Sequence, residues 1–82
     1  MKELKKAVTE NKVIIGTDRM IKLMKQGKIK EVYLSSDCKE ETKKRIKDYG
    51  KLSNTKITEL SEPSNELGLI CKKPFHISVA GF

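Results

Sequence analysis

The chain of 82 residues contains no tryptophan, one histidine, two cysteines and two prolines, and only 5% of it is aromatic. Each scarcity excludes something. No apolar run approaches the ~18 residues that would span a bilayer, so a membrane-crossing helix is excluded. Residues 1–10 are charged and amphipathic, without the apolar stretch of a secretory signal, and the expected location is cytoplasmic. Cys38 and Cys71 make neither a CxxC pair nor a disulfide framework and are expected as free thiols in a reducing compartment. With only His76 beside them they do not supply four zinc ligands, and no cofactor is expected. There is no HExxH, no P-loop and no paired-carboxylate signature, so no enzyme is expected. A chain this short buries only roughly 60–65% of its unfolded surface, which leaves no room for a deep enclosed active site beside a core. Residues 1–82 are expected to form a single domain.

Charge, by contrast, is abundant. Charged residues make up 35% of the chain, and the net charge is +7. Residues 1–30 carry nine basic side chains against three acidic, residues 31–60 seven against six, and residues 61–82 two against two. The excess is concentrated in the first third. Such a surface attracts a polyanion, of which nucleic acid is the commonest in a cytosol; it also fits a surface kept basic for solubility or heat tolerance. Sixteen of the eighteen basic residues are lysine, the exceptions being Arg19 and Arg45. Lysine is a point charge suited to phosphate, not a planar fork that reads guanine edges. Any nucleic acid bound here is therefore expected to be read by shape.

Helix and strand signals alternate along the chain. Leu4, Ala7 and Val8 recur at helical spacing, and Val13-Ile14-Ile15 is a β-branched run closed by Gly16. Thr17 or Asp18 is expected to cap the next helix, whose inner face is Met20, Leu23 and Met24, with Gly27 ending it in the left-handed conformation. Ile29 and Val32-Tyr33-Leu34 read as a second strand. Asp37 with Glu40 resembles a capping pair for a helix over residues 42–49, with Gly50 near its end. Residues 55–60 alternate as a third strand, and Ser64 is expected to cap a short helix over residues 65–71. Ile77, Val79 and Phe82 suit a last strand that runs to the final residue. The order α-β-α-β-α-β-α-β points to an α/β fold, a three-layer α/β/α sandwich around a sheet.

Two loops carry the chemistry. Gly16-Thr17-Asp18-Arg19 joins a strand to a helix start, where unpaired N–H groups and a partial positive charge favour an anion, and Lys22 lies one turn on. An ordinary tight turn requires the same glycine. Lys72-Lys73-Pro74-Phe75-His76 places an aromatic ring beside two lysines. Phe75 fits either an unpaired-base platform with lysines on the phosphates or a core residue entering the last strand. Cys38, just before a helix, suits either a thiol of lowered pKa or a structural thiol, and Cys71 reads as core.

Three stretches, VIIGTDRMIKLMKQGK (residues 13–28), IKDYGKLSNTKIT (46–58) and NELGLICKKPFHIS (65–78), resemble the L7Ae/L30e family of kink-turn RNA-binding proteins, and the likeness extends over nearly the whole chain. The resemblance implies a four-stranded mixed sheet in the α/β/α sandwich. It also implies binding to a sharply bent internal loop with tandem sheared G·A pairs. Carried over, it puts Gly16, Thr17, Asp18, Arg19 and Lys22 on the contact surface at those pairs. It puts Lys73, Phe75 and His76 near the extruded nucleotide, with Phe75 at the stacking position, and makes Lys12 and Lys28 backbone contacts. Asp18 stands where many relatives carry Asn, Arg or Lys, and is expected to cap the helix or accept a guanine N–H. Lys72 stands where glycine is usual, so different backbone angles are expected there. The function implied is a structural component of the large ribosomal subunit, with ribosomal RNA and other ribosomal proteins as partners. Two alternatives stay open: a stand-alone kink-turn binder in RNA modification, processing or regulation, and a protein-interaction module that has lost RNA affinity.

Overall fold

Apolar residues three and four apart cannot be buried by one turn of helix alone; they need a sheet to lie on. The computed structural model describes residues 2–82 as four helices and four strands in strict alternation. They are α1 (Lys2–Thr9), β1 (Ile14–Ile15), α2 (Thr17–Lys25), β2 (Glu31–Leu34), α3 (Glu40–Ser53), β3 (Lys56–Glu59), α4 (Ser64–Ile70) and β4 (Val79–Gly81). The sheet order is β1-β4-β2-β3. β2 and β3 pair in parallel, Val32 opposite Ile57, while β4 runs antiparallel to both β1 and β2.

The period-two alternation of the strands sorts the core into two clusters. Val32, Leu34 and Val79 face one way and pack with Met20, Ile21 and Met24 of α2 and Ile46 of α3. Tyr33 and Ala80 face the other way and pack with Leu4 and Val8 of α1, Leu67 of α4, Cys71 and Ile77. Helices therefore cover both faces, as the three-layer α/β sandwich requires. Each fully buried leucine, isoleucine or methionine contributes roughly 1.5–3 kcal/mol, so both faces are needed in a chain this short.

Four local expectations are corrected. Neither Thr17 nor Asp18 caps α2; its N-cap is Gly16, with no side-chain bond. The Asp37/Glu40 pair does not cap α3, whose N-cap is Lys39. Ser64 does not cap α4: it is the first residue of that helix, whose N-cap is Pro63, with no side-chain bond. Gly50 does lie near the end of α3, where a Cβ would lie 2.9 Å from Ile57 Cγ1, so its bare face lets the helix lie on β3 and run on to Ser53 before Asn54 turns left-handed at φ 58°. Ile77 lies outside β4 and belongs to the cluster opposite Val79, because the chain turns at Ser78 between them.

β1, β2 and β3 all point the same way. Their C-terminal ends and the start of β4 thus share one edge of the sheet. The turns at residues 16–17, 35–39, 60–63 and 71–78 gather there, where open α/β sheets place their ligands.

Candidate nucleic-acid interface

Gly16 is held between strand and helix. Its N–H donates to the Val79 carbonyl at 3.2 Å, and its carbonyl accepts from the Met20 N–H at 3.1 Å. Its φ of 109° is one that a side chain would strain, although the space around it is open. The glycine is required by torsion, not by crowding. Since no side chain caps α2, the N–H groups of its first turn are left to solvent or a ligand. Asp18, on that turn, is 95% exposed and lies 3.8 Å from Arg45 of α3, a solvent-screened pair. Arg19 and Lys22 are exposed and form no ion pair among the described residues.

The second loop is positioned by α4, and α4 by Asp37. The Asp37 carboxylate accepts bonds from Ser35 Oγ (2.8 Å), Ser64 N–H (2.9 Å) and Ser64 Oγ (2.9 Å). The bond from Ser35 and then those from Ser64 hold this carboxyl below its ordinary pKa. Asp37 thereby ties the turn after β2 to the first residue of α4. The Ser64 carbonyl in turn accepts the Ile77 N–H at 3.0 Å, and the Ser78 carbonyl accepts the Ser35 N–H at 3.0 Å. At the other end of α4 the loop lies directly on the helix. A Cβ on Gly68 would collide with the Phe75 carbonyl oxygen and sit 3.1 Å from its carbon. Only glycine permits that approach.

The loop so held turns Phe75 outward, 52% exposed, which decides against a core role for it. Phe75, with Lys73, Pro74 and His76 of the loop and Asn65 and Leu69 of α4, lines an open hollow of about 280 Å3. An apolar floor with a flanking lysine is suited to stacking a base and holding its phosphate. Lys72 takes φ 57°, a left-handed angle that glycine enters freely and other residues adopt rarely.

The structure brings Gly16, Thr17, Asp18, Arg19 and Lys22 to the same sheet edge as Lys73, Phe75 and His76. Phe75 precedes Val79, the partner of Gly16, by four residues, at most about 14 Å of chain. Lys12 and Lys28 are not brought there. Lys12 precedes β1 and pairs with Glu10 at 3.4 Å, and Lys28 follows α2, so both lie at the opposite end of the strands. Three residues at the edge were missed from sequence. Asn65 and Leu69 share one face of α4 at helical spacing, a signal that was present. Arg45 reaches Asp18 only through the packing of α3 beside α2, which no local pattern announces.

Among the described residues no three His, Cys, Asp or Glu side chains cluster to hold a metal. Cys38 and Cys71 are buried, and burial raises both thiols; the lowered pKa considered for Cys38 does not occur.

Comparison with known proteins extends this picture. The sequence matches the profile of the ribosomal protein L7Ae/L30e/S12e/Gadd45 family over residues 1–82. It is 38% identical to large ribosomal subunit protein eL30 of Sulfurisphaera tokodaii over 79 residues, covering 96% of this chain and 74% of that one. The corresponding protein of Sulfolobus acidocaldarius is 40% identical over 79 residues, covering 96% and 76%. Two solved structures share the fold, each with a TM-score of 0.87. A protein of unknown function from Bacillus halodurans C is 24% identical, covering 95% of this chain and 77% of its own. The Giardia lamblia 15.5kD RNA binding protein is 18% identical, covering 96% and 66%. With the profile matched from end to end and the sandwich in place, the chain belongs to the ribosomal protein L7Ae/L30e/S12e/Gadd45 family.

Proposed function

We propose that this protein is a non-catalytic, RNA-binding structural component of the large ribosomal subunit in the cytoplasm, and that its target is a kink-turn which it holds bent. One observation carries the reading. The uncapped N-terminus of α2 and the outward ring of Phe75 share a sheet edge, bordered by Arg19, Lys22 and Lys73. A kink forces two phosphate strands together, and cations with a helix N-terminus offset that repulsion. A bend also opens a groove that regular A-form RNA keeps too narrow for side chains. The eL30 names of the relatives support the ribosomal setting, where other ribosomal proteins are neighbours.

The protein acts by preferring the bent form of an RNA that fluctuates between open and bent states. The test is a gel shift at near-physiological salt with a kink-turn and with one whose G·A pairs are swapped. The first is bound and the second is not. Lys22→Ala and Phe75→Ala each weaken binding without unfolding the protein. Tight binding by the double variant defeats the site assignment. End-to-end fluorescence transfer that stays unchanged at saturating protein defeats the mechanism. Co-sedimentation with large subunits separates the ribosomal role from a stand-alone one.

A further inference from the structure

The C-terminal turns of α2 and α3, at the far end of their layer from Gly16 and Phe75, enclose a groove of about 380 Å3 lined by Met24, Lys25, Gly27, Tyr49, Leu52 and Ser53. Three large hydrophobic side chains are exposed among the described residues: Leu52 at 84%, Leu69 at 72% and Phe75 at 52%. Leu69 and Phe75 border the hollow already assigned to RNA. Leu52 stands apart from them and is the most exposed of the three. A single exposed leucine needs no explanation, but this one rims a groove whose walls include buried Met24 and half-buried Tyr49.

The rim is cationic. Lys25 Nζ lies 4.9 Å above the centre of the Tyr49 ring, and Lys28 adjoins Gly27 in the chain. Neither lysine is in an ion pair among the described residues. No carboxylate lines the groove; Asp48 and Lys51 of α3 both line the neighbouring hollow. Two helix C-termini would ordinarily repel an anion. Here Leu23 O is engaged by the Gln26 and Lys28 N–H groups, Met24 O by that of Gly27, and Gly50 O by that of Thr55.

We propose that this groove docks an acidic segment of another protein, with one large apolar side chain seated beside Leu52 and Tyr49 and its carboxylates on Lys25 and Lys28. The site goes beyond the RNA-binding reading and does not depend on it. RNA suits the groove poorly, because Lys25 already occupies a face of the Tyr49 ring, and Leu52 and Met24 offer no aromatic face for a base. A second copy of this chain suits it poorly too, because a two-fold contact would set the same lysines against one another.

The test presents the full chain with an array of short peptides, each placing one Leu, Ile, Met or Phe among Asp and Glu. Control peptides replace the apolar residue by Ser or the acids by Lys. Binders are titrated into isotope-labelled protein and followed by amide chemical shifts. Shifts are expected to centre on Lys25, Gly27, Leu52 and Ser53, with either control weakening affinity by about tenfold or more. Leu52→Asp, at a surface position that leaves the core intact, is expected to weaken peptide binding by at least about tenfold and leave kink-turn affinity unchanged. The proposal is overturned if no acidic apolar peptide moves these amides, or if the shifts follow charge alone. It is equally overturned if a kink-turn RNA moves them, or if Leu52→Asp removes a dimer in sedimentation.

Discussion

Replacing Gly68 by alanine separates the placement of Phe75 from its chemistry. The new methyl would collide with the Phe75 carbonyl oxygen and lie 3.1 Å from its carbon and 3.5 Å from His76 Cα. Backbone is on the far side of that contact, so no flexible side chain can yield, and the loop must lift off α4. Overpacking costs about 1–3 kcal/mol, and alanine in place of glycine inside a helix returns about 1 kcal/mol, leaving a net loss of about 0–2 kcal/mol. In a domain of this size that lowers the melting temperature by up to roughly 8–16 °C. Phe75→Ala, at a half-exposed ring, leaves melting nearly unchanged. It should remove the stacking contribution of about 1–3 kcal/mol, or roughly 5- to 150-fold in RNA affinity. If Gly68 acts on RNA through Phe75, then Gly68→Ala weakens binding in the wild-type background and much less in the Phe75→Ala background. Thermal melts and kink-turn titrations on the four proteins of that cycle decide it. An unchanged melt with unchanged affinity for Gly68→Ala refutes the steric reasoning. A binding loss equally large with and without the ring refutes the assignment of the effect to Phe75.

The same framework gives three further expectations. The Asp37 carboxyl is held below its ordinary pKa, so the stability it confers is present above the unfolded carboxylate's range and is lost as pH falls through the folded value. Asp37→Asn should therefore flatten the acid limb of stability against pH in urea melts; an unchanged limb refutes the clamp. Tyr33, buried and next to Glu31, is pushed up to about 12 from 10.0, so the stability linked to its neutral form is complete below 10 and is lost as pH climbs toward 12. Phenolate absorbance during alkaline titration should show one tyrosine ionising late, and Tyr33→Phe should remove that step. The two buried thiols, both raised by burial, should react with a thiol reagent slowly in the native protein and together once denaturant is added; rapid stoichiometric labelling of the folded chain refutes their placement.

What could be read from the sequence was whatever is written locally. Helical spacing in Leu4, Ala7 and Val8 and in Met20 and Met24, with β-branched runs between, is enough for the order of elements and the three layers. The left-handed end of α2 at Gly27, φ 68°, also follows from one residue type at one place. Helix ends were misread wherever a partner lies far along the chain. Asp37 looked like a cap for the helix beside it, yet its carboxylate serves Ser64, 27 residues on. Ser64 looked like a cap for α4, yet it is the first residue of that helix and gives its N–H and hydroxyl to Asp37. Period-two counting put Ile77 with Val79, which fails once the chain turns between them. Gly16 and Phe75 were legible as candidates because they are conspicuous in short loops. Arg45 was not, because only the packing of α3 on α2 brings it near.

The two ends of the α2/α3 layer differ in what they can recognise, and the difference follows from chain direction. With the three parallel strands pointing one way, the turns that start α2 and α4 fall at one edge, which therefore has uncapped N–H groups and a loop pressed down by Gly68. Those features are fixed by backbone geometry and suit the invariant parts of RNA, phosphate and base face. The other end receives the terminating turns of α2 and α3, where the Leu23, Met24 and Gly50 carbonyls are bonded and the side chains of Leu52, Tyr49 and Lys25 line the groove. Recognition there depends on apolar fit and charge, which suits a polypeptide more than a nucleotide. The layer is only about 13 Å long along α2, yet its ends present different chemistry, so RNA at one and protein at the other would not compete for the same groups.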